Sequence, residues 1–119
     1  MKLTEHILAK FFGGDIEVQS VNENYCFRGR IKAVEVKNNV FTVKLEWLAE
    51  NEGGSSNPSS KWKLDKRVNY EATLDIYSVS DIGEGRLMLN SVLVGENVVL
   101  FPKGGSQLDP SKVKGLDTT

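Results

Sequence analysis

The chain has 119 residues, 39% of them hydrophobic and 26% charged, with a formal net charge of −1. That length suits one domain around one core, and the near-neutral balance argues against coating nucleic acid by bulk electrostatics. The single cysteine, Cys26, excludes an internal disulfide. Residues 1–6 hold no apolar run resembling a secretory signal, and no segment is long and apolar enough to span a membrane, so the expectation is a soluble cytoplasmic protein.

The first predicted element is a short amphipathic helix over about residues 4–12. Thr4 is a fair N-cap, Leu3 can staple onto Leu8, and Ile7, Leu8, Phe11 and Phe12 share one face before Gly13-Gly14 stops the helix. A short strand over 16–19 follows, with Ile16 and Val18 on one side. The next strand, 25–36, changes parity. Phe27, Ile31 and Ala33 share a face, but Val34 and Val36 then carry the apolar signal, which predicts a bulge, and Gly29 marks a bend.

Asn38-Asn39 reads as a tight turn, because Asn tolerates positive φ. Beyond it, Phe41, Val43, Leu45 and Trp47 alternate with Thr42, Lys44 and Glu46, predicting a strand over 40–49 with those four on one face and with Phe41, Val43 and Leu45 buried, as Leu74 and Ile76 are further on. Residues 52–60, rich in Gly, Ser and Asn, have almost nothing to bury and are expected to form a mobile loop. Val68, Tyr70, Ala72, Leu74 and Ile76 then alternate with polar residues in a strand over 68–79. Turn chemistry occupies 80–85, and strands are expected over 87–94 and 98–101 around Gly95-Glu96-Asn97. The unbroken apolar run Val98-Val99-Leu100-Phe101 implies burial on both faces or an oligomer seam. Asp109-Pro110 resembles a helix start, Gly115 a stop, and residues 117–119 a tail.

Taken in order, these elements resemble the Sm-like family of small barrels. Asp15-Ile16-Glu17-Val18-Gln19 resembles the family's first strand, and Phe27-Arg28-Gly29-Arg30-Ile31 its second, with a mid-strand Gly. Asn39 ahead of Val40-Phe41-Thr42-Val43 is similar to the first motif, and Leu93-Val94-Gly95-Glu96-Asn97-Val98-Val99-Leu100 to the second. The resemblance implies an all-β fold with an N-terminal α-helix: a small, strongly bent antiparallel barrel, Sm-like or SH3-like, filling residues 1–119 as one domain. Residues 67–85 then supply an extra strand or hairpin. The resemblance also implies a single-stranded RNA site at Asn39 and Gly95. At the family's base-stacking position this chain has Lys37, which offers no aromatic face, and at its Arg position it has Val94.

Two basic groups bear on the same reading. Arg28, Arg30 and Lys32 share one strand face, and Lys61, Lys63, Lys66 and Arg67 surround Trp62. Cations beside an exposed ring suit single-stranded nucleic acid, so Lys61, Trp62 and Lys63 join Lys37, Asn39 and Gly95 as candidate RNA-binding residues. Alternating charge is also the ordinary solvated face of a sheet. His6 and Cys26 are far apart in sequence, the spacing of Asp75, Asp81 and Glu84 fits no calcium loop, and Gly83-Glu84-Gly85 reads as a turn. No catalytic, cofactor or metal constellation is expected. The functional expectation is a non-enzymatic barrel that binds or assembles. One form is a homo-oligomeric ring, joined through strand edges, with weak RNA binding; the alternative is an oligomeric or adaptor barrel contacting protein.

Overall fold

The computed structural model describes residues 3–20, 25–51, 63–65, 70–93, 95–105 and 114–115. Each long alternating segment forms a strand, because period two puts every second side chain on one side and the apolar set seeks a common interior. The strands are β1 (Asp15–Ser20), β2 (Tyr25–Lys37), β3 (Val40–Asn51), β4 (Lys63–Asp65), β5 (Tyr70–Gly83), β6 (Arg86–Ser91), β7 (Glu96–Leu100) and β8 (Lys114–Gly115). Six of them run in the order β2-β1-β7-β6-β5-β3, and pairing of β2 with β3 closes the ring into an antiparallel barrel. The short β4 adds to the far end of β3 and carries β8 in parallel, outside the ring. The interior is built on Ile16, Ile31, Phe41, Val43, Leu89, Val98 and Leu100.

The N-terminal helix is shorter than its apolar pattern implies. It spans α1 (Glu5–Leu8), capped by Thr4, whose hydroxyl accepts the Ile7 N–H at 3.2 Å, and then tightens into a 3-10 turn over Ala9–Phe11. Leu8 and Phe11 enter the core, whereas Phe12, expected on the same face, is exposed because the helix has ended. Gly13 takes φ +81° and donates to Ile31 O at 2.9 Å, while Ile31 N–H returns a bond to Gly14 O at 2.7 Å. The helix end is thereby fastened to β2.

Bends in β2 and β3 close the barrel. Between the pairs Gly29↔Leu48 and Ile31↔Leu45, β3 has one residue too many; between Ile31↔Leu45 and Ala33↔Lys44, the extra residue is on β2. The second slip produces the expected parity change that brings Val34 and Val36 onto the core. The first corrects the sequence reading of β3. After Leu45 the inward side passes to Leu48, and Trp47 is turned to the outer face.

Two further expectations change. The turn expected over 80–85 shrinks to Glu84-Gly85, with φ of 57° and 74° between the paired Gly83 and Arg86. The Asp81 carboxylate accepts the Gly83 N–H at 2.8 Å, which holds the strand to its end. The apolar run at 98–101 is not an edge: β7 pairs with β1 on one side and β6 on the other, and Val98 and Leu100 fill the core. Its apolar character reflects barrel closure. The segments 52–60, 109–110 and 117–119 lie outside the described residues.

A Cβ at Gly29 would sit 2.7 Å from Leu45 Cδ1 and 2.7 Å from the Trp47 carbonyl oxygen. The carbonyl belongs to the backbone and cannot swing aside. Gly29→Ala should therefore destabilise the fold by about 1–3 kcal/mol, the usual range for overpacking, read as a lower denaturation midpoint in urea.

Candidate functional site

Register on β1 and β2 puts Asp15 opposite Arg30 and Glu17 opposite Arg28, all on the outer face of the barrel. That face is not solvated as alternating charge suggests. Asp15 is completely buried; Arg28 Nε donates to its Oδ2 at 3.1 Å and Arg30 Nε to its Oδ1 at 2.6 Å. Each guanidinium also lies over a ring, Arg28 at 4.3 Å from the Phe101 centroid and Arg30 at 5.2 Å from that of Trp47. The outward turn of Trp47, a product of the β3 slip, supplies one of these rings. Two basic side chains that looked available for phosphate are held in an internal cluster.

Cys26 is buried beside them. Burial, reinforced by the nearby Glu17 carboxylate and opposed by Arg28, pushes its thiol up to about 12. Glu17 is itself raised by burial, against the opposing pull of Arg28 and the hydrogen bond from Cys26. The thiol has Glu17 and the Phe27 carbonyl as partners, while His6 sits exposed on α1, so the two do not form a nucleophilic dyad. No group of three or more His, Cys, Asp and Glu among the described residues could hold a metal ion. No helix among them is long and apolar enough to cross a membrane.

The other feature is a corner where two turns meet on β5. Asn38 and Asn39, at φ 50° and 67°, form the two-residue β2–β3 turn, and Asn39 O accepts the Ile76 N–H at 2.9 Å. On the other side of the same strand, Asp75 O accepts the Val92 N–H at 2.8 Å, at the start of the turn that leads to Gly95, whose φ is +82°. Asn39 and the turn carrying Gly95 are thus brought to adjacent residues of one strand. Lys37 pairs with Val40, Val40 with Asp75, and Val92, just past the end of β6, bonds to Asp75, so the outward side chains of Lys37, Val40, Asp75 and Val92 run in a row across β2, β3, β5 and the turn after β6.

Tyr77 completes the corner. Ile76 pairs with Ser91 and Ser78 with Asn90, leaving Tyr77 as the unopposed residue of a bulge, and bulges re-aim side chains. Its ring is 68% exposed, beside Val92 at 60% and Leu93 at 64%. A cleft of about 70 Å³ opens next to it, lined by Leu3, Val36, Asn39 and residues 76–79.

Of the residues singled out from sequence, Lys37 and Asn39 are exposed at this corner and Gly95 lies in its second turn. Lys63 is elsewhere: its backbone is in β4, opposite Glu50 at the other end of β3. Lys61 and Trp62 lie outside the described residues. Tyr77 was missed. It stands in the outward series Glu71, Thr73, Asp75, Tyr77, where an aromatic after three polar residues is the signal that marks it.

No family model, no curated protein and no solved structure matches this chain.

Two outcomes follow from the outer cluster. Asp15→Asn leaves two mostly buried guanidiniums without their carboxylate and should cost about 3–5 kcal/mol of stability, measured by denaturant titration. The Cys26 thiol should resist a disulfide reagent at pH 8 until the protein is unfolded. Its raised pKa also means that the fold favours the protonated form. That contribution is intact below pH 9, the ordinary thiol value, and declines as pH rises towards about 12. Cys26→Ala should lose this alkaline component, seen in melting temperature against pH.

Proposed function

We propose that this chain is a non-catalytic barrel of the Sm-like or SH3-like kind that works by contacting protein, and that its contact surface is the corner around Tyr77. The observation that carries the reading is the exposure of Tyr77 on β5 and of Val92 and Leu93 in the turn that bonds to the same strand at Asp75. Large apolar groups gathered in one patch mark interaction surfaces, and aromatic residues are enriched in them. The electrostatics agree. Arg28 and Arg30 are committed to Asp15, and among the described residues around the corner the exposed Lys37 and Lys44 alternate with Glu35, Glu46, Glu71 and Asp75, so phosphate meets mixed charge there. Burial keeps the Cys26 thiol protonated, which disfavours a nucleophilic role for it. A reducing, cytoplasmic setting fits that free thiol.

A second reading, single-stranded RNA binding, is favoured by one observation: the exposed Asn39 and the exposed Tyr77 ring flank the same cleft. A ring to stack on and an amide to read a base edge are what such a ligand uses. The experiment is a titration of the protein with labelled oligo-U and oligo-A at low and moderate salt, with Tyr77→Ala and Asn39→Gly alongside. Gly keeps the positive φ of the turn while removing the amide. The expected outcome is no saturable binding to either oligomer. Binding that is lost in both variants would overturn the protein-contact reading in favour of RNA.

A further inference from the structure

We propose that the Tyr77 corner is a two-fold contact with a second copy of this chain, in which Lys37 of each copy faces Asp75 of the other. This inference rests on the protein-contact reading and names the partner. The first argument is charge. Lys37 and Asp75 are both exposed, opposite in sign, and in no ion pair among the described residues. They flank Val40 in the row Lys37, Val40, Asp75, Val92. A two-fold axis passing over Val40 reverses that row on the partner, setting each Lys opposite an Asp and Val40 on its own copy.

The second argument is shape. An isologous contact needs a surface complementary to itself, so projection and recess must lie on one face. Here the projection is Val92, Leu93 and the bulged Tyr77, beyond Asp75 at one end of the row. The recess is the cleft lined by Leu3, Val36, Asn39 and residues 76–79, which adjoins that projection at the same corner. A net charge of −1 per copy adds little repulsion. The contact differs from a head-to-tail ring because both copies use the same residues and it closes at two.

The test is sedimentation velocity and light scattering on the full chain at tens to hundreds of micromolar, for wild type, Lys37→Glu, Asp75→Lys, the double swap Lys37→Glu/Asp75→Lys, and Leu93→Glu. Melting temperatures confirm that each variant folds. The wild type should approach twice 13.2 kDa as concentration rises. Each single charge variant should raise the dimer dissociation constant by about tenfold or more, since like charges then face each other. The double swap should restore the dimer, a recovery that a merely structural role would not produce, and Leu93→Glu should abolish it. A wild-type monomer throughout the range, or a dimer indifferent to these substitutions, overturns the proposal. A monomer that binds neither oligo-U nor oligo-A removes only the second copy and leaves the protein-contact reading. A monomer that binds an oligomer through Tyr77 removes both.

Discussion

At residue 29 the backbones of β2 and β3 pass so close that no side chain fits between them, and the rest of the architecture depends on that approach. A strand that carries a Cβ at each position cannot bend so sharply against its neighbour. With Gly29 there, β2 pairs with β3 along most of its length and also with β1 along residues 25–30, continuing with β3 alone towards its turn. The bend is what lets six strands meet end to end as a closed ring, since curvature in a sheet comes from glycines and bulges at defined positions. It also aims the β2–β3 turn at β5, where Asn39 meets Ile76. The barrel and its corner are therefore consequences of one local permission.

The bulges that accompany the bend divide the charged residues into two populations. On the outer face of β1 and β2, Asp15 and Glu17 stand against Arg28 and Arg30, a set whose formal charges cancel. A carboxylate bridging two guanidiniums satisfies its desolvation with directed bonds, and each guanidinium gains a ring to stack on. Arg suits this duty better than Lys because its planar fork can face a carboxylate and a ring together. The result is an outer layer that ties β1, β2, β3 and the segment after β7 together. It holds Arg28 and Arg30 in internal pairs.

Much of the barrel was legible in the sequence because alternation and turn chemistry are local. The period-two runs gave strands within a few residues of their observed ends, Asn38-Asn39 supplied the two positive φ angles of its turn, and Thr4 capped the helix. The departures arose where a neighbour decided the outcome. Trp47 follows the alternation of Phe41, Val43 and Leu45, and only an extra residue against the partner strand turns it outward. Arg28 and Arg30 have the pattern of a solvated face, and the buried Asp15 that claims them is thirteen and fifteen residues away. The apolar run in β7 could not announce whether its neighbours belonged to its own chain or another. Of the candidate site, Lys37, Asn39 and the turn holding Gly95 were visible as motifs, whereas Tyr77 depended on a bulge set by pairing with β6.

That bulge weighs most in the functional argument. A regular β5 would keep one residue opposite each residue of β6, and Tyr77 would lie flat among the polar side chains of its face. The extra residue leaves Tyr77 without a cross-strand partner and exposed, two residues from Asp75, to which the turn carrying the exposed Val92 and Leu93 is bonded. An exposed apolar group of that size is unfavourable in water and makes an association-prone surface. Natural sheets generally blunt such surfaces with charge. Here the bordering charges, Lys37 and Asp75, are of opposite sign, so they do not repel a surface that carries the same two in reverse order. A corner whose apolar centre invites contact, and whose border discriminates by sign, has the makings of a specific interface.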